Sequence, residues 1–151
     1  MLFYKINVKC IIVLEEMMTG NTFVHINKTY YIYDRYNTIA TFALMYHEKE
    51  LSEEQLANYL RISDQFIKID NNHYFITFTY CSQKDAFKAS QNLLLHLDNF
   101  FHNASTCIAI DTFNTSYSPQ VVLNRLKQIL LEIRKSSYSR IEDEIILSEI
   151  F

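Results

Sequence analysis

At 151 residues, 49% apolar and 15% aromatic, the chain is long and apolar enough for one domain with a single core. Its formal charge of -3, pI near 5.9 and scattered lysines and arginines give no basic surface of the kind that binds nucleic acid. A single Gly and a single Pro exclude a Gly-rich phosphate loop or a Pro-rich linker, and Cys10, Cys81 and Cys107, odd in number and without metal-type spacing, read as reduced thiols of a cytoplasmic protein.

Residues 1 to 18 carry two competing periods. Leu2, Tyr4, Ile6 and Val8 alternate as in a strand, whereas Ile6, Cys10, Val13 and Met17 share a helical face, and a helix is favoured from about Val8. The apolar run Cys10 to Leu14 is too short to span a membrane, and Glu15 and Glu16 behind it do not suit a signal-peptide core. From Asn21 or Thr22 as N-cap, Phe23, Ile26, Tyr30 and Tyr33 predict a helix to about Arg35, poor in intrinsic propensity and so held by burial. Ile39 to Tyr46 reads as a strand whose unbroken Phe42-Ala43-Leu44-Met45 suits a central position covered on both faces. Leu51-Ser52-Glu53-Glu54-Gln55 supplies a staple, an N-cap, acidic first-turn residues and a capping-box Gln for a short helix to Leu60.

Two runs of β-branched and aromatic residues, Phe66 to Ile69 and Tyr74 to Thr79, flank Asp70-Asn71-Asn72-His73, whose short polar side chains favour turns. This predicts a β-hairpin, central in the sheet and with its tip at the surface. Tyr74, Ile76, Phe78 and Tyr80 form an apolar face, alternating with Phe75, Thr77 and Thr79. Ala86, Ser90, Leu93, Leu97 and Phe100 then predict an amphipathic helix from about Gln83 to Phe101, followed by a strand from Thr106 to Phe113. Ser118 as N-cap and Pro119 at the first helical position start a last large helix with the stripe Val122, Leu126, Ile129, Leu130 and Ile133. Beyond it, Ile141, Ile145, Leu147 and Ile150 have enough apolar character to pack. The order of elements is that of an α+β layered sandwich, a mainly antiparallel sheet with helices on its faces.

Leu60-Arg61-Ile62-Ser63-Asp64, the run Gln65 to Ile69 and then Asp70-Asn71-Asn72-His73-Tyr74 reproduce a spacing found in GGDEF domains, the diguanylate cyclases and their inactive relatives. There a helix ends in L-R-x-S-D and the signature Gly-Gly-Asp/Glu-Glu-Phe forms a hairpin tip. Glu16-Met17-Met18-Thr19-Gly20 stands in the place of the family's D-x-L-T-G, Arg35-Tyr36-Asn37 in that of R-Y-N/G, and Lys135 to Ile141 where a lysine and G-R-N-R-V form a terminal edge strand. Residues 16–141 thus resemble a degenerate GGDEF domain with a nucleotidyl cyclase-like sandwich, between a helical lead-in at 1–15 and an extension at 142–151.

An active domain of that family joins two GTP molecules in a dimer, using two metal ions held by carboxylates. Here Asn72 replaces the signature's metal-binding acid, and Asp70 and Asn71 replace the glycines that leave bare backbone. Tyr46-His47-Glu48 stands where the first strand should end in D-I-D, and Glu48 alone reads as a solvated loop residue. The family's guanine-holding segment is shortened between Tyr46 and Asp64. The resemblance therefore implies a protein that is not an enzyme, with no metal or catalytic residues and no cofactor.

Arg61 and Asp64 keep the R-x-x-D with which the family binds cyclic di-GMP, and an Arg fork and a carboxylate suit phosphate and guanine. The same residues also have a structural reading, in which Arg61 favours the helix C-terminal dipole and Ser63-Asp64 caps the turn. On the resemblance, Arg61 should lie near the loop that follows Ile69. His73 reads as an exposed turn residue rather than a general base, and Phe23, Tyr30, Tyr31, Tyr33 and Tyr36 as core and interface rather than a base-stacking platform. The expectation is a catalytically inactive, cytoplasmic GGDEF-like signalling module that binds another protein or a second copy of itself, with Leu2 to Leu14 and Ile145 to Phe151 as candidate surfaces. The alternatives are a cyclic di-GMP receptor using Arg61 and Asp64, and a residual or altered nucleotidyl transferase.

Overall fold

The computed structural model describes the backbone of residues 2–136 and 139–148 and the side chains of residues 19–135 and 139–148. In chain order its elements are α1 (Leu2–Tyr36), β1 (Ala40–Tyr46), α2 (Glu53–Tyr59), β2 (Gln65–Lys68), β3 (His73–Thr79), α3 (Gln83–Phe101), β4 (Cys107–Ile110), α4 (Pro119–Ser136), β5 (Ile141–Glu142) and α5 (Ile145–Ser148). The strands form one sheet in the order β2-β3-β1-β4-β5. Every pairing is antiparallel except that of β4 with β5, so the sheet is mixed.

Strand alternation gives the sheet two apolar faces. Ala43 and Met45 of β1, Tyr74, Ile76 and Phe78 of β3, and Ile108 and Ile110 of β4 pack with α2 and α3, through Leu56, Ala86, Leu93 and Leu97. The intervening Phe42, Leu44, Phe75 and Ala109 pack on the other side with Ile26 and Tyr30 of α1 and with Leu123, Leu126, Ile129 and Ile133 of α4. The register makes these faces continuous: Ala43 lies opposite both Ile76 and Ile110, and Met45 opposite both Tyr74 and Ile108. The expected α+β class and layering are observed.

Several elements depart from expectation for local reasons. The N-terminal region is one helix, not a lead-in followed by a second helix: α1 runs unbroken through Thr19 and Gly20. A side chain at Gly20 would meet open space, and a lone Gly costs a helix only about 1 kcal/mol relative to Ala. The helix ends instead at Asn37, which takes a left-handed conformation (φ 54°) and returns its N–H to the Tyr33 carbonyl at 2.7 Å. Tyr80, expected on the apolar face of β3, turns out of the strand at φ 55° and is exposed. Phe100 is likewise exposed while Phe101 packs on the core. The strand expected from Thr106 to Phe113 stops at Ile110 because Asp111 turns its carboxylate to the N–H of Thr112 and to Arg125.

The hairpin is present, but β2 lies at the sheet edge and β1 at the centre. Beyond α4, β5 joins the opposite edge through the N–H of Ile108, which donates to the Arg140 carbonyl. In α5 it is Ile146 that enters the core, with Leu147 beside it, while Ile145 is exposed and Ile150 lies outside the described residues.

Candidate functional site at the hairpin

The tip closes on its own side chains. Asp70 Oδ1 accepts the N–H groups of Asn72 and His73, both at 2.8 Å, and the same carboxylate pairs with His73 Nδ1 at 2.8 Å. Such an Asx turn is what an Asp two residues before Asn supplies. The Asn72 amide then leaves the hairpin and donates to the carbonyl oxygens of His47 (3.1 Å) and Glu48 (2.8 Å) at the end of β1. The His47 N–H donates back to the Asn72 carbonyl at 2.9 Å. Tip and β1 end are thereby stitched together, and the position where the resemblance puts a metal-binding acid is filled by a donor facing two carbonyls.

Tyr74, fully buried, anchors the tip from below. Its hydroxyl accepts the Leu51 N–H at 2.7 Å and lies within reach of the carbonyls of Leu51 (3.2 Å) and Asn71 (3.3 Å). Burial pushes its pKa up. The Asn71 side chain is exposed. Among the residues at the end of β1, Tyr46 is half-buried, Glu48 exposed and His47 wholly buried. His47 holds Thr106 Oγ1 at 2.8 Å through Nδ1 and rests against the Phe101 ring at 4.6 Å, while its Nε2 has no hydrogen-bond partner among the described residues. Burial lowers its pKa, against the opposing pull of Asp98 and Glu48. His73 is half-buried and paired with Asp70 rather than a freely exposed turn residue.

Arg61 and Asp64 meet each other. The guanidinium donates to Asp64 Oδ1 at 2.6 Å through one terminal nitrogen and to both carboxylate oxygens through Nε, and the Arg61 backbone N–H donates to Oδ2 at 3.1 Å. A further bond runs from the same guanidinium nitrogen to the Thr79 carbonyl at 3.1 Å. The Asp64 side chain is only 1% exposed and the Arg61 side chain 49%. The Asp64 bond is the main cause that raises the Arg61 pKa. This pair ties the turn after α2 to the far end of β3. Because Thr79 and His73 lie at opposite ends of that strand, Arg61 is separated from the tip by about 20 Å of extended chain. The expectation that Arg61 lies near the tip is not met, and the hairpin carries two separate polar clusters.

No family model matches this chain, and neither does any curated protein. The aromatic cluster divides by face: Tyr30 is buried, Phe23 packs on the same core and Tyr33 lies edge-on against Phe113, whereas Tyr31 (60%) and Tyr36 (66%) are exposed. Arg35 donates to the Tyr31 hydroxyl at 3.1 Å and lies over the Tyr36 ring at 5.8 Å. Val24 and Ile32 extend this outward stripe of α1. Cys81 and Cys107 are free, and burial raises the pKa of both thiols. Among the described residues no three His, Cys, Asp or Glu side chains form a group that could hold a metal ion, and no helix is long and apolar enough to cross a membrane. Sequence reasoning missed the seam between Asn72 and the end of β1 and the role of the Tyr74 hydroxyl. A polar tip next to a buried strand end was the available signal for both.

Proposed function

We propose that this chain is a non-catalytic, GGDEF-like signalling module that acts by binding another protein or a second copy of itself. The observation that carries the first half is the Asn72 amide, whose hydrogens point at the carbonyls of His47 and Glu48. A divalent cation needs oxygen lone pairs converging on it. Here each of the two carbonyls already accepts an amide hydrogen, and the Asp70 carboxylate accepts the N–H groups of its own turn. Helix, hairpin and strand follow one another as the resemblance implies, which supports the kinship, whereas the separation of Arg61 from the tip counts against it.

The second half rests on the Tyr31, Arg35 and Tyr36 cluster. Exposed Tyr and Arg side chains of this kind dominate protein interfaces, and mutual contacts that hold them in place lower the entropy lost on binding. Sedimentation of the purified chain, alone and with proteins that co-purify with it, tests the reading. Tyr31→Glu with Arg35→Glu abolishes the association while leaving the fold unchanged. Association indifferent to both substitutions, or metal-dependent turnover of GTP by the wild-type chain, would overturn the proposal.

A further inference from the structure

Between the hairpin tip and α4 lies a cleft of about 320 Å³, within the size range of small-molecule sites. Its floor is apolar, made by Leu44, Ile69 and Leu130. Lys127 and Arg134 also line it and stand seven residues apart on α4, so they share one helix face two turns, or about 10 Å, apart. Arg134 is held in place by Tyr46, whose ring centroid lies 3.9 Å from the guanidinium carbon. Stacking of this sort engages the flat face of the guanidinium and leaves its N–H edge available. The Tyr46 ring lies in turn 5.4 Å from that of His73, which forms part of the facing wall and whose Nδ1 is committed to Asp70.

The charged groups that line this cleft are the two cations and the Asp70 carboxylate, which is bonded to the N–H groups of its own turn and to His73 Nδ1. Arg61, Arg125 and Arg140 each hold a carboxylate, whereas among the described residues neither Lys127 nor Arg134 has an ion-pair partner. Two unneutralised cations thus border an apolar floor in a chain of net charge -3. An inorganic ion would answer the cations and leave the floor wet, and a neutral apolar molecule would cover the floor and leave the cations unanswered.

We propose that this cleft binds a small organic anion, a carboxylate or phosphate ester attached to an apolar body. The anionic group sits between Lys127 and Arg134 and the body covers Leu44, Ile69 and Leu130. The site is independent of the protein-binding reading, since it lies away from the outward stripe of α1.

Amide chemical shifts of the full chain, titrated with phenyl phosphate and with benzoate, test this. The expected result is saturable movement of the amides of residues 69–73 and 127–134 with at least one probe. Inorganic phosphate and benzyl alcohol bind more weakly. Removing a charge-assisted contact weakens binding about tenfold or more, so Lys127→Gln and Arg134→Gln each lower the affinity by that factor, while Lys88→Gln on α3 does not. Both positions are exposed, and unchanged shifts elsewhere verify that the variants fold. Absence of saturable movement with both probes, movement spread over the whole surface, or affinity unaltered in the double variant overturns the proposal.

Discussion

Asn72→Asp restores an acid at the position where the resemblance puts a metal ligand, and it separates a tip built for structure from a dormant metal site. In the wild type the amide makes two hydrogen bonds, one partly buried to the His47 carbonyl and one exposed to the Glu48 carbonyl. At roughly 1 kcal/mol for the first and half that for the second, the substitution forfeits about 1.5 kcal/mol. It also turns a carboxylate towards two carbonyl oxygens, so the cost is a lower bound. For a domain of this size about 2–4 °C of Tm accompanies each kcal/mol, giving a fall of roughly 3–6 °C. Thermal unfolding followed by circular dichroism, with Asn71→Asp as the exposed neighbour control, measures it, and addition of magnesium or manganese leaves the fall unaltered. A variant as stable as wild type, or one whose lost stability is recovered by a divalent cation, would refute the reasoning and show that a metal site lies one substitution away.

Other expectations follow from the same geometry. Arg125→Met strands the Asp111 carboxylate, which is 3% exposed and held by two bonds from Arg125 at 2.6 and 2.9 Å, and costs about 3 kcal/mol in urea unfolding, whereas adding Asp111→Leu recovers much of the loss. His25 and His47 both have pKa values lowered chiefly by burial, so the unfolded chain takes up protons first as pH falls. Their contribution to stability is complete above about 6.5 and is lost as pH falls through the lowered folded values. His25→Gln with His47→Gln flattens that acid limb in pH-dependent unfolding, and an unchanged slope would count against it. Calorimetry with cyclic di-GMP gives no heat, because the oxygens of Asp64 are spent on Arg61; heat that disappears in Arg61→Ala would establish the receptor reading instead.

What could be read in the sequence was what nearest neighbours decide. Ser52 accepts the Gln55 N–H and Ser118 the Val121 N–H, as caps read from three-residue spacings should, and the stripes of α3 and α4 bury the residues their period selects, apart from Phe100 at the end of α3. The Asp70 to His73 turn was legible for the same reason. What escaped was set by partners distant in sequence. Asn21 or Thr22 reads as an N-cap, yet nothing nearby demands a boundary and α1 continues through both. The alternation of β3 does not show which neighbour flanks it, so the hairpin reads as central although its first arm, β2, forms the edge. The cleft joins Lys127 and Arg134 to Tyr46 and His73 across more than fifty residues, and no local pattern marks them out.

The direction in which charge is committed connects these observations. Around the hairpin the carboxylates are turned inwards: Asp64 is consumed by Arg61, Asp70 by its own turn, and Asp111 beyond β4 by Arg125. A site for cations needs carboxylates with free lone pairs, and these three aspartates are spent on holding the chain. Lys127 and Arg134, without an ion-pair partner among the described residues, stand beside an apolar floor, set by the spacing of α4 and the Tyr46 ring. Acidic residues outnumber basic ones in the whole chain, whereas this cleft is lined by two cations and one carboxylate, that of Asp70. On the proposal above, a ligand that enters beside the tip is recognised through its anionic group, with Lys127 and Arg134 as the cations that receive it.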